Sequence, residues 1–323
     1  MKLQEDAKEL RKLWGSFRQA RVLFTANNLR IFDYLKSPRT VDDIAGILKT
    51  DRRATEILLD ALTGLGLLKK SAGKYSNKPS SNRLLVKDSP YYQGDIIKHV
   101  DNLWHNWSGL DEIIKTGKPY HKNRDHEAFI RGMHNIAVFK AGDVINSINL
   151  KGVKTAIDIG GGPGTYSMEL AKRGISVTLF DLPETVRIAK DIIKESGLKN
   201  IDFIEGDFLS DKIGSGYDLV FISQILHAYS EDDNIGLIRK SQNALNTKGR
   251  IVIQEFYIDK NRTSPVHSTL FSVNMLVNTE GGRCYSPPEI EGWLAKEGFR
   301  KIKHKIIDDS VIISGIKSNY RLS

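Results

Sequence analysis

Cysteine is nearly missing from this chain: Cys284 is the only one in 323 residues. A single thiol excludes an internal disulfide, and such sparing use fits a reducing compartment, so a cytoplasmic protein is expected. Apolar residues nowhere reach the run of about 18 that a membrane-spanning helix needs. The start, Met1-Lys2-Leu3-Gln4-Glu5-Asp6, is charged and lacks an apolar core, so no signal peptide is expected there. Repeats and low-complexity tracts are absent. No His/Cys cluster has metal-ligand spacing, so no zinc site is expected.

Packing material, by contrast, is ample. Twelve Phe, eleven Tyr and four Trp serve a chain with room for one large or two modest domains. The net charge of +9 is unevenly placed. Residues 1–90 hold 18 Lys plus Arg against 10 Asp plus Glu, whereas the remainder is close to balance. Such asymmetry raises nucleic acid or a membrane surface as partners for the first domain, but a solvated, lysine-rich surface is the simpler explanation, so neither nucleic acid nor a membrane is expected as a partner.

Residues 8–36 carry apolar side chains at helical spacing: Leu10, Leu13, Trp14, Phe17, Ala20, Leu23 and Phe24, interrupted at Asn27-Asn28. Thr40 starts a short helix over 41–48, and Thr50 or Asp51 caps another over 52–65. Leu67 to Ser76, turning at Ser71-Ala72-Gly73, reads as a hairpin wing. Helices plus a wing make a winged helix. Arg52 and Arg53 could touch phosphates in such a fold, but the long N-terminal stripe is better explained by a partner chain. The stretch 91–148 reads as helical, with Trp104, His105 and Trp107, then Phe129, Met133, His134 and Phe139, clustered along it.

From Thr155 onward the pattern is α/β, with strands expected at 155–160, 176–181, 201–205, 217–223, 249–256, 301–307 and 311–316. The last two are joined too closely for a crossover and must form an antiparallel hairpin. Ser286, with Pro287 after it and Glu289 three residues on, starts the helix before that hairpin. Ala156 to Gly164 reads Ala-Ile-Asp-Ile-Gly-Gly-Gly-Pro-Gly, a buried strand that breaks into a glycine loop and then a helix, the place where ligands meet such sheets. The dinucleotide fingerprint fails here. Its third glycine would fall on Thr165 or Ser167, depending on the register. The spacing that fits is Asp158, Gly160, Gly162, Gly164, and an acid just before the glycines suits a cationic ligand better than a pyrophosphate. Two more acids, Asp181 and Asp207, close the second and third strands, with Asp181 placed to take ribose hydroxyls.

These segments resemble the class I S-adenosylmethionine-dependent methyltransferases, and more closely the small-molecule O-methyltransferases of the caffeate and hydroxyindole type. The resemblance covers nearly the whole chain. It is carried by Asp158-Ile-Gly-Gly-Gly-Pro-Gly164, Phe180-Asp181-Leu182-Pro183 and Gly206-Asp207-Phe208. Further along, Ile225-Leu226-His227 precedes Ser230-Glu231-Asp232, followed by Gly249 to Glu255 and Asn278-Thr279-Glu280-Gly281-Gly282-Arg283. It implies a Rossmann-like seven-stranded methyltransferase domain with an antiparallel last strand over 149–323. Before that come a mostly helical winged-helix dimerisation domain over 1–90 and a helical bridge over 91–148 that contributes to the acceptor pocket. It implies a homodimer that transfers methyl groups from S-adenosylmethionine to a hydroxyl of a small aromatic or polycyclic molecule. Cofactor contacts are then expected from Asp158, Gly160, Gly162, Asp181, Leu182, Asp207, Phe208 and Ser223. Acceptor contacts are expected from Trp104, Phe129, Met133, Asn274 and Met275.

His227 follows the fourth strand on the ligand edge and matches the family's catalytic histidine. A phenol's pKa of about 10 makes a positioned base useful at neutral pH. Glu255, 28 residues on, ends the next strand and matches the family's helper glutamate. The family's second acid is replaced by Cys284, with Glu280 nearby in sequence, so its substitute is open. The Asp-Trp that commonly follows the histidine is Ala228-Tyr229, and the lysine expected four residues before it is Ser223. Two other readings stand beside O-methylation. One keeps the cofactor but methylates nitrogen, carbon or sulfur by proximity alone; the other is a ligand-sensing winged-helix DNA-binding protein.

Overall fold

The computed structural model describes residues 2–120 and 125–318 and divides the chain into two compact units, 1–103 and 104–323. The first unit holds α1 (Lys2–Gly15), α2 (Phe17–Asn28), α3 (Ile31–Tyr34), α4 (Val41–Leu48) and α5 (Arg52–Gly64). The wing follows as β1 (Leu68–Ser71) paired antiparallel with β2 (Lys74–Asn77), then α6 (Pro79–Leu84) and α7 (Gly94–Trp107), which runs on into the second unit. The caps are those the sequence calls for. Thr40 and Asp43 form a reciprocal capping box at α4, and Asp51 accepts from Ala54 N (2.7 Å) at α5. A core of Ile31, Phe32, Leu35, Leu59, Leu62, Leu68 and Tyr75 closes the unit, with the Tyr75 hydroxyl donating to Asp60 (2.6 Å).

The long N-terminal periodicity is split into two helices at Ser16, and it faces outward. Leu13 is 73% and Trp14 56% exposed, α1 buries nothing, and the stripe turns inward only near Phe24. Arg52 is ion-paired with Asp42 and Glu56 of its own unit.

The second unit opens with α8 (Leu110–Thr116), α9 (His126–Ala137) and α10 (Ala141–Asn146). Its sheet contains β3 (Thr155–Ile159), β4 (Ser176–Asp181), β5 (Ile201–Glu205), β6 (Tyr217–Ser223), β7 (Leu245–Phe256), β8 (Phe299–Ile307) and β9 (Ser310–Lys317), in the spatial order β5-β4-β3-β6-β7-β9-β8. Strands β3 to β7 are parallel, and β9 is antiparallel to both its neighbours. Helices α11 (Thr165–Ala171), α12 (Pro183–Ser196), α13 (Glu231–Ala244), α14 (Val266–Asn278) and α15 (Pro287–Lys296) complete the unit, α15 with the Ser286/Glu289 capping box. Alternate residues of the central strands feed two cores. Ala156, Leu219, Phe221 and Val252 point one way; Ile157, Ile159, Val220, Ile222, Ile251 and Ile253 point the other.

Two strands start earlier than expected. β7 begins at Leu245 and β8 at Phe299, and in each a register shift breaks the period-2 pattern near the start. Lys301, where the apolar alternation resumes, has φ +53 at that irregularity. Among the described residues no helix is long and apolar enough to cross a membrane.

Candidate active site

The carboxyl ends of β3, β4, β6 and β7 gather the chemistry. The chain leaves β3 through Gly160 (φ +65) and Gly162 (φ +54), a backbone region that side chains rarely adopt. A Cβ on Gly160 would lie 2.3 Å from Ile225 Cδ1, so the loop after β6 packs directly onto the glycine loop. Beside Gly162 nothing lies nearer than 4.0 Å, which leaves that lip open. Across it stands Asp181, whose carboxylate accepts from Gly162 N (2.8 Å) and Leu182 N (2.7 Å). Burial pushes its pKa up while those two N–H groups pull it down.

Asp158 points inward. It is 1% exposed, it accepts from Ser167 Oγ (2.6 Å), and burial with the nearby Asp181 charge pushes its pKa up to about 7. Asp207 folds its own loop, accepting from Leu209 N (2.9 Å), while Phe208 is buried against the edge of Tyr229. Three carbonyls of that loop, Phe208, Leu209 and Asp211, accept from Lys240 Nζ at 2.7, 2.8 and 3.0 Å. Ser223 donates to Gln254 (2.8 Å).

His227 lies in a 3₁₀ turn just past β6, with its Nδ1 2.7 Å from Glu255 Oε2 at the end of β7. The other oxygen of Glu255 accepts from Leu226 N (2.7 Å), so the carboxylate is held at both ends. With the carboxylate as acceptor, Nδ1 is the donating nitrogen, which in the neutral imidazole leaves the lone pair on Nε2. That nitrogen has no hydrogen bond among the described residues. Around the imidazole stand Phe271 (edge-on, centroids 4.9 Å) and Phe256 (5.9 Å), with His267 against Phe256 (5.2 Å). The Gly-Gly-Arg segment packs on the same turn: a Cβ on Gly282 would sit 2.3 Å from the His227 carbonyl oxygen. Cys284 is buried, and burial together with the Glu255 charge pushes its thiol up to about 11, so it is a neutral neighbour. Glu280 is exposed.

Of the residues expected at the acceptor, Asn274 accepts from Trp107 Nε1 (3.0 Å), and Met275 is buried. Phe129 and Met133 lie on α9, whose His134 is 2.8 Å from Thr165 directly after the glycine loop. Trp104 is partly buried on α7. Sequence reasoning missed Phe256, Phe271 and His267. Phe256 follows Glu255 and Phe271 precedes Asn274 by three, but only the packing of α14 over the end of β7 brings them to His227. No group of three or more His, Cys, Asp or Glu able to hold a metal ion occurs among the described residues.

Comparison with known proteins shows the family. Residues 92–300 match the O-methyltransferase domain model, and residues 12–87 match the O-methyltransferase dimerisation domain model. The chain is 30% identical over 285 residues to 3-hydroxy-5-methyl-1-naphthoate 3-O-methyltransferase of Streptomyces sahachiroi, covering 83% of this chain and 82% of that one. It is 30% identical over 316 residues to acetylserotonin O-methyltransferase of Gallus gallus, covering 90% and 91%. Human N-acetylserotonin methyltransferase, solved in complex with SAM (S-adenosylmethionine), superimposes with a TM-score of 0.88 at 25% identity, covering 97% and 98%.

Proposed function

The chain belongs to the O-methyltransferase family, and we propose that it methylates a hydroxyl of a small aromatic or polycyclic molecule, with His227 as general base and Glu255 as its partner. It is an S-adenosylmethionine-dependent enzyme. The residues present fit that cofactor. Gly162 forms a lip that no side chain narrows, Asp181 stands at it, and Leu182 and Leu209 leave 37% and 42% of their surfaces exposed beside Asp181 and Asp207. In this reading Asp181 takes the ribose hydroxyls, while Asp207 and Phe208 hold the adenine. When bound, S-adenosylmethionine supplies a methyl group already activated on a sulfonium, which leaves the protein to align the acceptor and remove its proton.

The observation that carries the reading is the doubly held Glu255. Its hydrogen bond fixes the imidazole in the Nδ1–H tautomer and presents Nε2, the atom that would take the hydroxyl proton. The imidazolium then formed would be stabilised by a carboxylate that cannot turn away. With Cys284 neutral beside it, one acid does the work for which the resembled family commonly has two. Phe256 and Phe271 offer ring edges and faces to a flat acceptor, and the relatives named for naphthoate and acetylserotonin support an aromatic one. The exposed α1 stripe and the dimerisation domain match support a homodimer formed through the first unit.

The test is an acceptor screen that follows S-adenosylhomocysteine release by wild-type and His227→Ala protein. Loss of about 10²–10⁴ in turnover on a phenolic acceptor, with cofactor affinity retained, is expected. Near-wild-type turnover in the alanine variant, with chemistry rate-limiting, would leave proximity catalysis on another acceptor atom.

A further inference from the structure

Behind the turn that carries His227 lies a second carboxylate, and its hydrogen bonds tie three separate segments together. Glu289, in the first turn of α15, has a side chain only 23% exposed. Its Oε2 accepts from Ser286 N (2.8 Å) and Ser286 Oγ (2.6 Å), the bonds that cap the helix. Its Oε1 faces elsewhere, accepting from Arg283 Nη2 (2.9 Å) and Arg262 Nη2 (2.7 Å). Arg262 lies in the loop between β7 and α14 with φ +61, a backbone conformation that persists where its surroundings hold it. Burial raises the pKa of Glu289, but the bonds from Arg283 and Ser286 outweigh it and bring the carboxyl down to about 2, so the group is charged at neutral pH.

Both arginines belong to segments that wall the base. Gly282, one residue before Arg283, packs on His227 and Ala228, and Gly281 packs on Ser230. The guanidinium of Arg283 covers the ring of Tyr285 (4.3 Å), whose hydroxyl donates to the Tyr229 carbonyl (2.7 Å). Residues 227–230 are thereby gripped along their backbone by 281–285. Arg262 precedes α14, which brings Phe271 edge-on to the imidazole and Ser272 to Cys284 N (3.1 Å). A helix cap accounts for Oε2 of Glu289; it leaves Oε1 and its two arginines without a purpose. We propose that Glu289 is a positioning residue for the base: through Arg283 and Arg262 it clamps the 281–284 segment and the start of α14 onto the turn, and so keeps the His227 ring in line with Glu255. This rests on His227 being the base.

The clamp is tested first on the ring itself. Nitrogen NMR shifts of His227, assigned by their loss in His227→Ala, report which ring nitrogen carries the proton when the side chain is neutral. The wild type is expected to hold almost only the Nδ1–H form, and Glu289→Gln and Arg283→Met to show a mixture with the Nε2–H form. Arg262→Met, at a half-exposed site, is expected to drift the same way by less, and it keeps the comparison should Glu289→Gln not fold. Ser286→Ala weakens the cap but leaves both arginine bonds; it is expected to lower the melting temperature with the tautomer unchanged. On the methyl acceptor found in the screen, Glu289→Gln is expected to lower kcat about tenfold with the S-adenosylmethionine dissociation constant unchanged. In the His227→Ala background it is expected to cost nothing further, because both changes act on one group. A fixed Nδ1–H form in both Glu289→Gln and Arg283→Met, an equal drift in Ser286→Ala, or a full further loss in the His227→Ala background would overturn the clamp alone. A wild type already mixed would remove the oriented base, and with it the reading on which the clamp rests.

Discussion

Asp158 combines a position beside the glycine loop with a side chain turned into the protein. The acid before the glycines reads as a partner for a cationic cofactor, yet its side chain is inside the protein, bonded to Ser167. Its folded pKa of about 7 lies far above the ordinary carboxylate range. The folded state thus holds the proton more tightly than the unfolded chain. Below about pH 4 both states are protonated and nothing is lost; as pH rises to about 7 the unfolded chain releases the proton first, and stability falls. Asp158→Asn is therefore expected to raise the melting temperature relative to wild type, more at pH 8 than at pH 5, in paired thermal melts of the cofactor-free protein. Equal shifts at both pH values would show that Asp158 ionises normally. Cys284 allows a simpler check. With its thiol pushed up to about 11 and 2% exposed, it is expected to resist a thiol reagent at pH 8 in the native state and to react once the protein is unfolded.

At the scale of elements, two packing contacts hold the ends of the site. Lys240, on α13, gives its three N–H groups to the loop that carries Asp207 and Phe208. Lys240→Met keeps the stem and removes the donors; cofactor dissociation constants are expected to rise about three- to tenfold with kcat nearly unchanged, as read by calorimetry and saturation kinetics. Gly282→Ala places a methyl against the His227 carbonyl, so the turn must shift; kcat is expected to fall by about 10²-fold with cofactor affinity retained. The elements themselves were legible in the sequence. Strands 176–181, 201–205 and 217–223 lie where the sequence pattern puts them, and 217–223, in the middle of the sheet, is an almost uninterrupted buried run. The early starts of β7 and β8 were hidden by local irregularities that break alternation. His227 and Glu255 could be named, being on adjacent strand ends, and the structure brings them to 2.7 Å. The aromatic ring around them could not, since α14 meets β7 through a fold that no local spacing encodes.

On the scale of the whole molecule, the exposed stripe at the start of the chain supports the homodimer proposed above. Leu10, Leu13 and Trp14 of α1 and Phe17 at the start of α2 are each about half or more exposed, a cluster of large apolar side chains of the kind that marks an interaction surface. Light scattering at micromolar concentration is expected to give the mass of a dimer, and Leu13→Glu with Trp14→Glu to give a monomer or aggregates. A wild-type monomer would remove the basis for the dimer. The order of the sheet also bears on how the chain is made. β9 is inserted between β7 and β8, so the flank of β7 that holds Ile251, Ile253 and Glu255 has no neighbour until residues near 317 have left the ribosome. During that interval the nascent chain carries a long, apolar, unpaired strand edge, the template on which neighbouring polypeptides add. Protein yield on synthesis should therefore depend on the closing hairpin, and on chaperones that cover the edge, more than on the loops that bind ligands.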